Sequence, residues 1–353
     1  MTESRLKGRV QTVLGQVVPE ALGVTLPHEH LLIDLRILYK EPRGASDRAR
    51  ALEGLALSNH YELTCNWTAS LENLLLDEET ARSEAELYRR EGGQSIVDVT
   101  PHNLGRDPLG LQRIARATGL NIIMGAGYYG GKTHPREVES RREEAIAEDL
   151  LREVTLGVDD TNVKAGVIGE IGCSWPITTG ELKVLRAAAE AAKRTGAPLM
   201  IHPGLDPSAP LAHLEEVRKI GLDLRRVIMA HMDHIDYTRC DKGWLASIAD
   251  TGCFLAFDHF GKEISHYPEE SDYEMMPDAE RIRHILWLLE RGYGKQVHLS
   301  HDIAIKVKCV QFGGCGYRHI LRRIVPRLKK LGLSERDVWM LIADNPARAL
   351  TFD

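Results

Sequence analysis

Pro27-His28-Glu29-His30 is the segment whose residue types and spacing point most directly to chemistry. If it closes a β-strand, alternation sends His28 and His30 to one face and Glu29 to the other. Two imidazoles then converge on one point, as they do around zinc and related ions. Taken alone, the pair fits two ordinary polar loop residues as well as it fits a metal site. Further candidates, Glu170, His202, His231 and Asp302, stand at the ends of other apolar runs. Four histidines and two carboxylates exceed what one ion needs and suit two ions bridged by a carboxylate. Such a centre acidifies water and polarises a carbonyl or phosphoryl oxygen, which is the chemistry of hydrolysis.

These residues meet only if the elements carrying them form a ring. The short β-branched runs 23–27, 95–99, 122–126, 166–170, 199–202, 226–231, 254–258 and 296–302 read as parallel strands buried on both faces. Amphipathic stretches at about 78–91, 109–117, 136–155, 180–195, 211–220, 243–251, 279–291 and 319–331 supply the crossovers. Eight βα units predict an α/β fold, a single (β/α)8 TIM barrel over residues 1–353 with its reactive groups at the C-terminal strand ends. Residues 8–18 read as a short N-terminal β-hairpin, and 39–76 as an insertion in the first crossover, after the first strand. The loop 303–317, with Lys306, Lys308 and the Gly313–Gly316 run, reads as a mobile lid. That run lacks the GKS/T ending of a phosphate loop, so its glycines are expected to serve tight turns. Ser334 and Asn345 are the expected N-caps of two closing helices.

With 353 residues, 43% hydrophobic and 27% charged, the chain can bury a sizeable core without disulfides. Its six cysteines form no CxxC pair, which argues against a disulfide framework or a thiolate zinc site. A net charge of -6 argues against a nucleic-acid partner and for a small-molecule substrate. The start, MTESRLKGRV, has no apolar leader and no run approaches a membrane span, so no membrane association and a cytoplasmic location are expected.

The segments Thr25–Leu31 (TLPHEHL), Ala165–Pro176 (AGVIGEIGCSWP), Ile201–Gly204 (IHPG), Ala230–Asp233 (AHMD), Leu299–Ile303 (LSHDI) and Asn345–Ala347 (NPA) bear a family likeness. Together they resemble the phosphotriesterase family of amidohydrolase-like metal-dependent hydrolases, over essentially the whole chain. Gly169–Pro176 looks like the phosphotriesterase-related branch. The resemblance implies that His28, His30 and Asp302 hold a buried ion, His202 and His231 a more exposed one, and that a bridge joins them. The best-known members use a carbamylated lysine as that bridge, whereas this chain has Glu170. Lys164 is six residues earlier, roughly 20 Å away along an extended strand, so the bridge falls to Glu170.

The implied reaction is attack of a bridging hydroxide on an ester, lactone, amide or phosphotriester, with acyl substrates ranked first. Asp302 would take the nucleophile's proton, and His234 or Asp233 would carry it onward. Tyr128 and Tyr129 are expected in the substrate pocket with His234, and His102 is a further candidate for its lining, while His259 is given a lesser role and alternation is expected to turn His301 out of the metal site. The cofactors are two divalent ions, zinc foremost, with manganese, cobalt or iron as alternatives. Two other readings are weaker. A catalytically weak small-molecule-binding barrel should have lost some of the six ligands, and a one-metal deaminase-type barrel leaves Glu170 unexplained. A homodimer is expected from the resemblance, with 39–76 at the contact.

Overall fold

Eight short runs rich in Val, Ile, Leu and Met form one parallel sheet in a computed structural model that describes residues 6–41, 44–235, 241–263 and 275–353. The strands are β1 (Thr25–Glu29), β2 (Ser95–Asp98), β3 (Asn121–Ala126), β4 (Val167–Gly172), β5 (Leu199–His202), β6 (Val227–Met229), β7 (Phe254–Phe257) and β8 (Val297–Leu299). Each pairs with its neighbour in chain order, and a crossover packs each connection against the sheet, giving the expected nearly closed TIM barrel. The seam between β1 and β8 is closed largely by polar side chains. The Asp302 N–H donates to the His28 carbonyl (3.2 Å), and the Ser300 hydroxyl lies 2.7 Å from that same oxygen. Glu29, turned away from its histidine neighbours as alternation requires, accepts the backbone N–H groups of His301 and Ile303, each at 2.9 Å.

Alternation along the strands sorts the core into two layers. Val97, Ile123, Val167, Met200, Ile228 and Phe254 point into the barrel, where Val10 from the hairpin and Leu350 from the last helix close the bottom. Ile96, Met124, Ile168, Ile201, Met229 and Leu255 point outward to the helices. Those helices start where the sequence offers caps: Asp77, Asp107 and Thr178 each accept an N–H of the first turn. At Gly125 in β3 an added Cβ would lie 2.2 Å from the Gly169 carbonyl oxygen, so only glycine lets β3 approach β4 beside Glu170.

The hairpin pairs Val10–Thr12 with Gly15–Val17. Within 39–76 lie the helices Ala45–Ala51 and His60–Cys65, and the segment is tied down where Ile33–Asp34 pairs with Leu75–Leu76. The loop after β8 contains turns at Lys306–Lys308 and Val310–Phe312 and is fastened by Asn73, which accepts the Lys306 and Val307 N–H groups at 3.0 and 2.9 Å. Ser334 caps its helix in a reciprocal pair with Asp337. Asn345 does not act as a cap. The residue before it is already helical, and its buried amide instead donates to the Gly294 and Val297 carbonyls, pinning the last helix to the start of β8. Cys65, Cys173, Cys253, Cys309 and Cys315 are free thiols, and Cys240 lies outside the described residues. Among the described residues no helix is long and apolar enough to cross a membrane.

Candidate metal centre and its pocket

All six side chains singled out in the sequence gather at the C-terminal mouth of the barrel. Glu170 Oε1 lies 2.8 Å from His202 Nδ1, 3.0 Å from His231 Nε2 and 3.6 Å from His28 Nε2. Asp302 Oδ1 lies 3.1 Å from His30 Nε2 and 3.7 Å from His28 Nε2. His28 therefore joins two groups, His28–His30–Asp302 and His28–Glu170–His231, in each of which the ligand atoms lie within 4.8 Å of one another. Its buried Nε2 has no hydrogen-bond partner. An imidazole nitrogen aimed into a carboxylate-lined space without a partner fits a cation there. Lys164 precedes β4, at the other end of the strand from Glu170.

β6 and β8 end earlier than the sequence suggests, so His231 and Asp302 sit just past their strands. Both have left-handed backbone, with φ of 60° and 50°. For residues with a side chain this conformation costs on the order of 1 kcal/mol, and such strain concentrates at functional sites. The bend, rather than strand alternation, turns His301 away to its own carboxylate, Glu29 Oε1 at 2.7 Å.

Residues beyond the six fix these orientations. Asp258, directly after β7, places one oxygen 2.8 Å from His28 Nδ1 and the other 2.7 Å from His231 Nδ1. One carboxylate thus directs both Nε2 atoms inward. Thr100 Oγ1 lies 2.8 Å from His30 Nδ1, and the Tyr317 hydroxyl donates to the His30 carbonyl at 2.6 Å. Asp302 Oδ2 meets His259 Nε2 at 3.0 Å and Lys262 Nζ at 2.5 Å. The sequence reading gives no role in the centre to Asp258, His259 or Lys262. Asp258 ends the seventh run by the same rule that found the other ligands, and His259 follows it, whereas Lys262 has no pattern to mark it. Asp258→Asn should weaken metal binding about 10- to 100-fold, the usual effect of removing such an outer partner, with the fold retained. Competitive chelator titration checks this, and an affinity equal to the native protein's would refute the role.

Asp233, one of the two expected onward carriers, is tied to the loop after β7. Asp233 is fully buried, accepts the backbone N–H of Asp258 and of His259, and is paired with Arg281 Nε at 2.6 Å. It braces the loop after β7, with three hydrogen bonds on its two oxygens. The trio Asp233–Asp258–His259 also has metal-compatible spacing, but its oxygens already serve Arg281, His28 and His231.

Burial works against charge throughout the site, yet carboxylates prevail. Despite burial, Glu170 is held well below the usual carboxylate range by His202 and His28, Asp258 by His231 and His28, and Asp302 by Lys262 and its histidines. Burial opposes protonation of His28 and His231, but the neighbouring Asp258 and Glu170 raise both pKa values. Burial, joined by neighbouring cationic groups, lowers His202, His234 and His259. Two buried carboxylates and the half-buried Asp302, which pull protons onto adjacent imidazoles, form a site that divalent cations neutralise well, releasing those protons.

Above the centre is a cavity of about 200 Å³ with apolar walls from Ile33, Leu35, Leu38, Trp67, Leu104 and Leu205, and with Tyr129, His234, Lys262 and Lys308 as polar lining. Tyr129 stands edge-on to His202, ring centroids 5.0 Å apart. Tyr128 does not line the cavity: its ring packs on His134 at 6.0 Å. His102 is bound to Asp159 at 2.9 Å, away from the centre.

The phosphotriesterase family model matches residues 8–350. An N-acetyltaurine hydrolase from Dictyostelium discoideum is 40% identical, with 98% of each chain covered. Among solved structures, a resiniferatoxin-binding protein from Rhodobacter sphaeroides superposes with a TM-score of 0.92 at 35% identity, covering 97% of this chain and 95% of that one. A lactonase from Listeria monocytogenes does so with a TM-score of 0.77 at 26% identity, covering 98% and 99%.

Proposed function

This chain belongs to the phosphotriesterase family and is a hydrolase; from that premise we propose that it cleaves the amide of a small N-acyl amine of the N-acetyltaurine type. The observation that carries the proposal is the convergence of four histidines and two carboxylates beneath a cavity of about 200 Å³. That volume is below the roughly 300 Å³ at which drug-sized ligand pockets begin. The space directly over the centre suits a small acyl group, while the named lactonase relative points to ester and lactone cleavage by the same groups.

The family is metal-dependent, and the donor set fits two divalent ions, zinc foremost, with manganese, cobalt or iron as alternatives. When bound, they supply Lewis acidity and a water of lowered pKa. In this reading His28, His30 and Asp302 hold one ion, His202 and His231 the other, and Glu170 both. Asp302 then accepts a proton at Oδ2, the oxygen beside His259 Nε2. His259, kept neutral by burial and by Lys262, can receive it and return it to the leaving amine. His259 is the first carrier in this relay, with His234 stacked edge-on beside it at 4.4 Å. Leu35, Leu38 and Trp67 keep bulk water from the reacting groups.

The test is turnover of N-acetyltaurine, an N-acyl amino acid, a lactone, an aryl ester and paraoxon by chelated and by metal-reconstituted protein. Metal-dependent hydrolysis led by the amides is expected. No turnover of any of them by fully loaded protein would refute the proposal and favour the binding reading, toward which the likeness to a resiniferatoxin-binding protein points. The proposal includes a cytoplasmic location, consistent with five free thiols, and a homodimer joined through 39–76, which exposes Leu52, Leu57 and Tyr61. Sedimentation at the monomer mass would remove the dimer.

A further inference from the structure

Lys262 and Lys308 line the cavity beside the centre, with Lys306 close to Lys308 in the chain, and two of these three lysines are spoken for. Lys262 Nζ lies 2.5 Å from Asp302 Oδ2, and Lys306 Nζ lies 2.8 Å from Asp77 Oδ2. Lys308 is different. It is 5% exposed and lines the 200 Å³ cavity, and among the described residues no carboxylate lies within ion-pair distance of it. Burial pushes its ammonium down to about 8. A buried, unpaired ammonium is costly, and proteins seldom keep one without a use.

The loop holds this lysine in place. Its N–H donates to the Ile305 carbonyl at 3.2 Å and its carbonyl accepts the Gly316 N–H at 2.9 Å. A Cβ at Gly314 would lie 2.1 Å from the Lys308 carbonyl carbon, so the glycine run closes directly on the Lys308 backbone. These glycines serve close packing, and the lysine they clamp faces the cavity.

We propose that Lys308 is the anion anchor of the substrate pocket, pairing with the sulfonate or carboxylate of an N-acyl substrate whose amide lies at the six-residue centre. This rests on the amide-hydrolase reading above and adds what that reading leaves open, the charge of the group beyond the scissile bond. The centre is assigned to the amide, so a substrate acid group beyond the scissile bond needs a separate cation. Apolar walls around Lys308 strengthen the pairing by lowering the local dielectric.

Three compounds of equal length separate the possibilities: N-acetyltaurine, N-acetyl-β-alanine and the neutral N-(2-hydroxyethyl)acetamide. With metal-reconstituted protein, Lys308→Met should lower kcat/KM for the preferred anion about 10- to 100-fold, mainly through KM. The change for the neutral amide should stay within about threefold, and Lys308→Arg should recover part of the loss. The two anions decide between sulfonate and carboxylate. Equal losses on charged and neutral amides, or no loss on either, would overturn the proposal. Calorimetric titration of the same compounds separates this from the hydrolase reading: if nothing is turned over, tighter anion binding lost in Lys308→Met sustains the anchor, and equal binding of all three refutes it.

Discussion

Asp302→Asn should lower kcat by about two to four orders of magnitude, the range a positioned acid–base group contributes, while metal content and melting temperature stay near native. The substitution is a clean probe for a backbone reason. Asp302 has φ of 50°, and asparagine is among the few residues that tolerate the left-handed region. The amide keeps an oxygen where Oδ1 faces His30 but cannot accept a proton at the atom facing His259 and Lys262. Turnover within about threefold of native, with metals in place, would show that Asp302 is only a ligand.

Glu170→Gln should be at least as damaging, by a different route. Glu170 is 2% exposed, and its Oε1 alone reaches three imidazoles. Removing its charge leaves the two ion positions without the anion proposed to join them, and leaves a buried amide facing His202 and His231. A direct bridge should matter more than an outer partner, so the loss of metal affinity should exceed about 100-fold. Metal stoichiometry should then fall from two per chain to one or none, with activity lost in parallel. Elemental analysis of the purified variant checks this; two ions retained per chain would contradict the bridging role.

Much of this was readable in the sequence because barrels impose a rule. Every strand is buried on both faces, so its run is apolar, and the first polar residue after the run stands at the mouth. That rule places Glu170, His202 and His231 beside the HxH pair from the sequence alone, and Asp302 closes the eighth run. It misjudged strand ends, because a left-handed residue at His231 or Asp302 leaves no mark in hydrophobic periodicity. It also gave His259 no role in the centre, since position in the chain says nothing about which side chain stands against Asp302. Asn345 looked like a cap because its residue type suits one; the continuous helix and the buried carbonyls of β8 decided otherwise. Lys262 and Lys308 were illegible as a contrasting pair. One is ion-paired and the other is not, and that depends on loop geometry alone.

The most direct measurement is an anomalous-scattering map from crystals of the protein reconstituted with zinc. Two peaks per chain are predicted, one among His28, His30 and Asp302, the other beside His202 and His231, with the Glu170 carboxylate touching both. A single peak, or two peaks with Glu170 turned away, would contradict the binuclear centre on which the proposed hydrolysis rests.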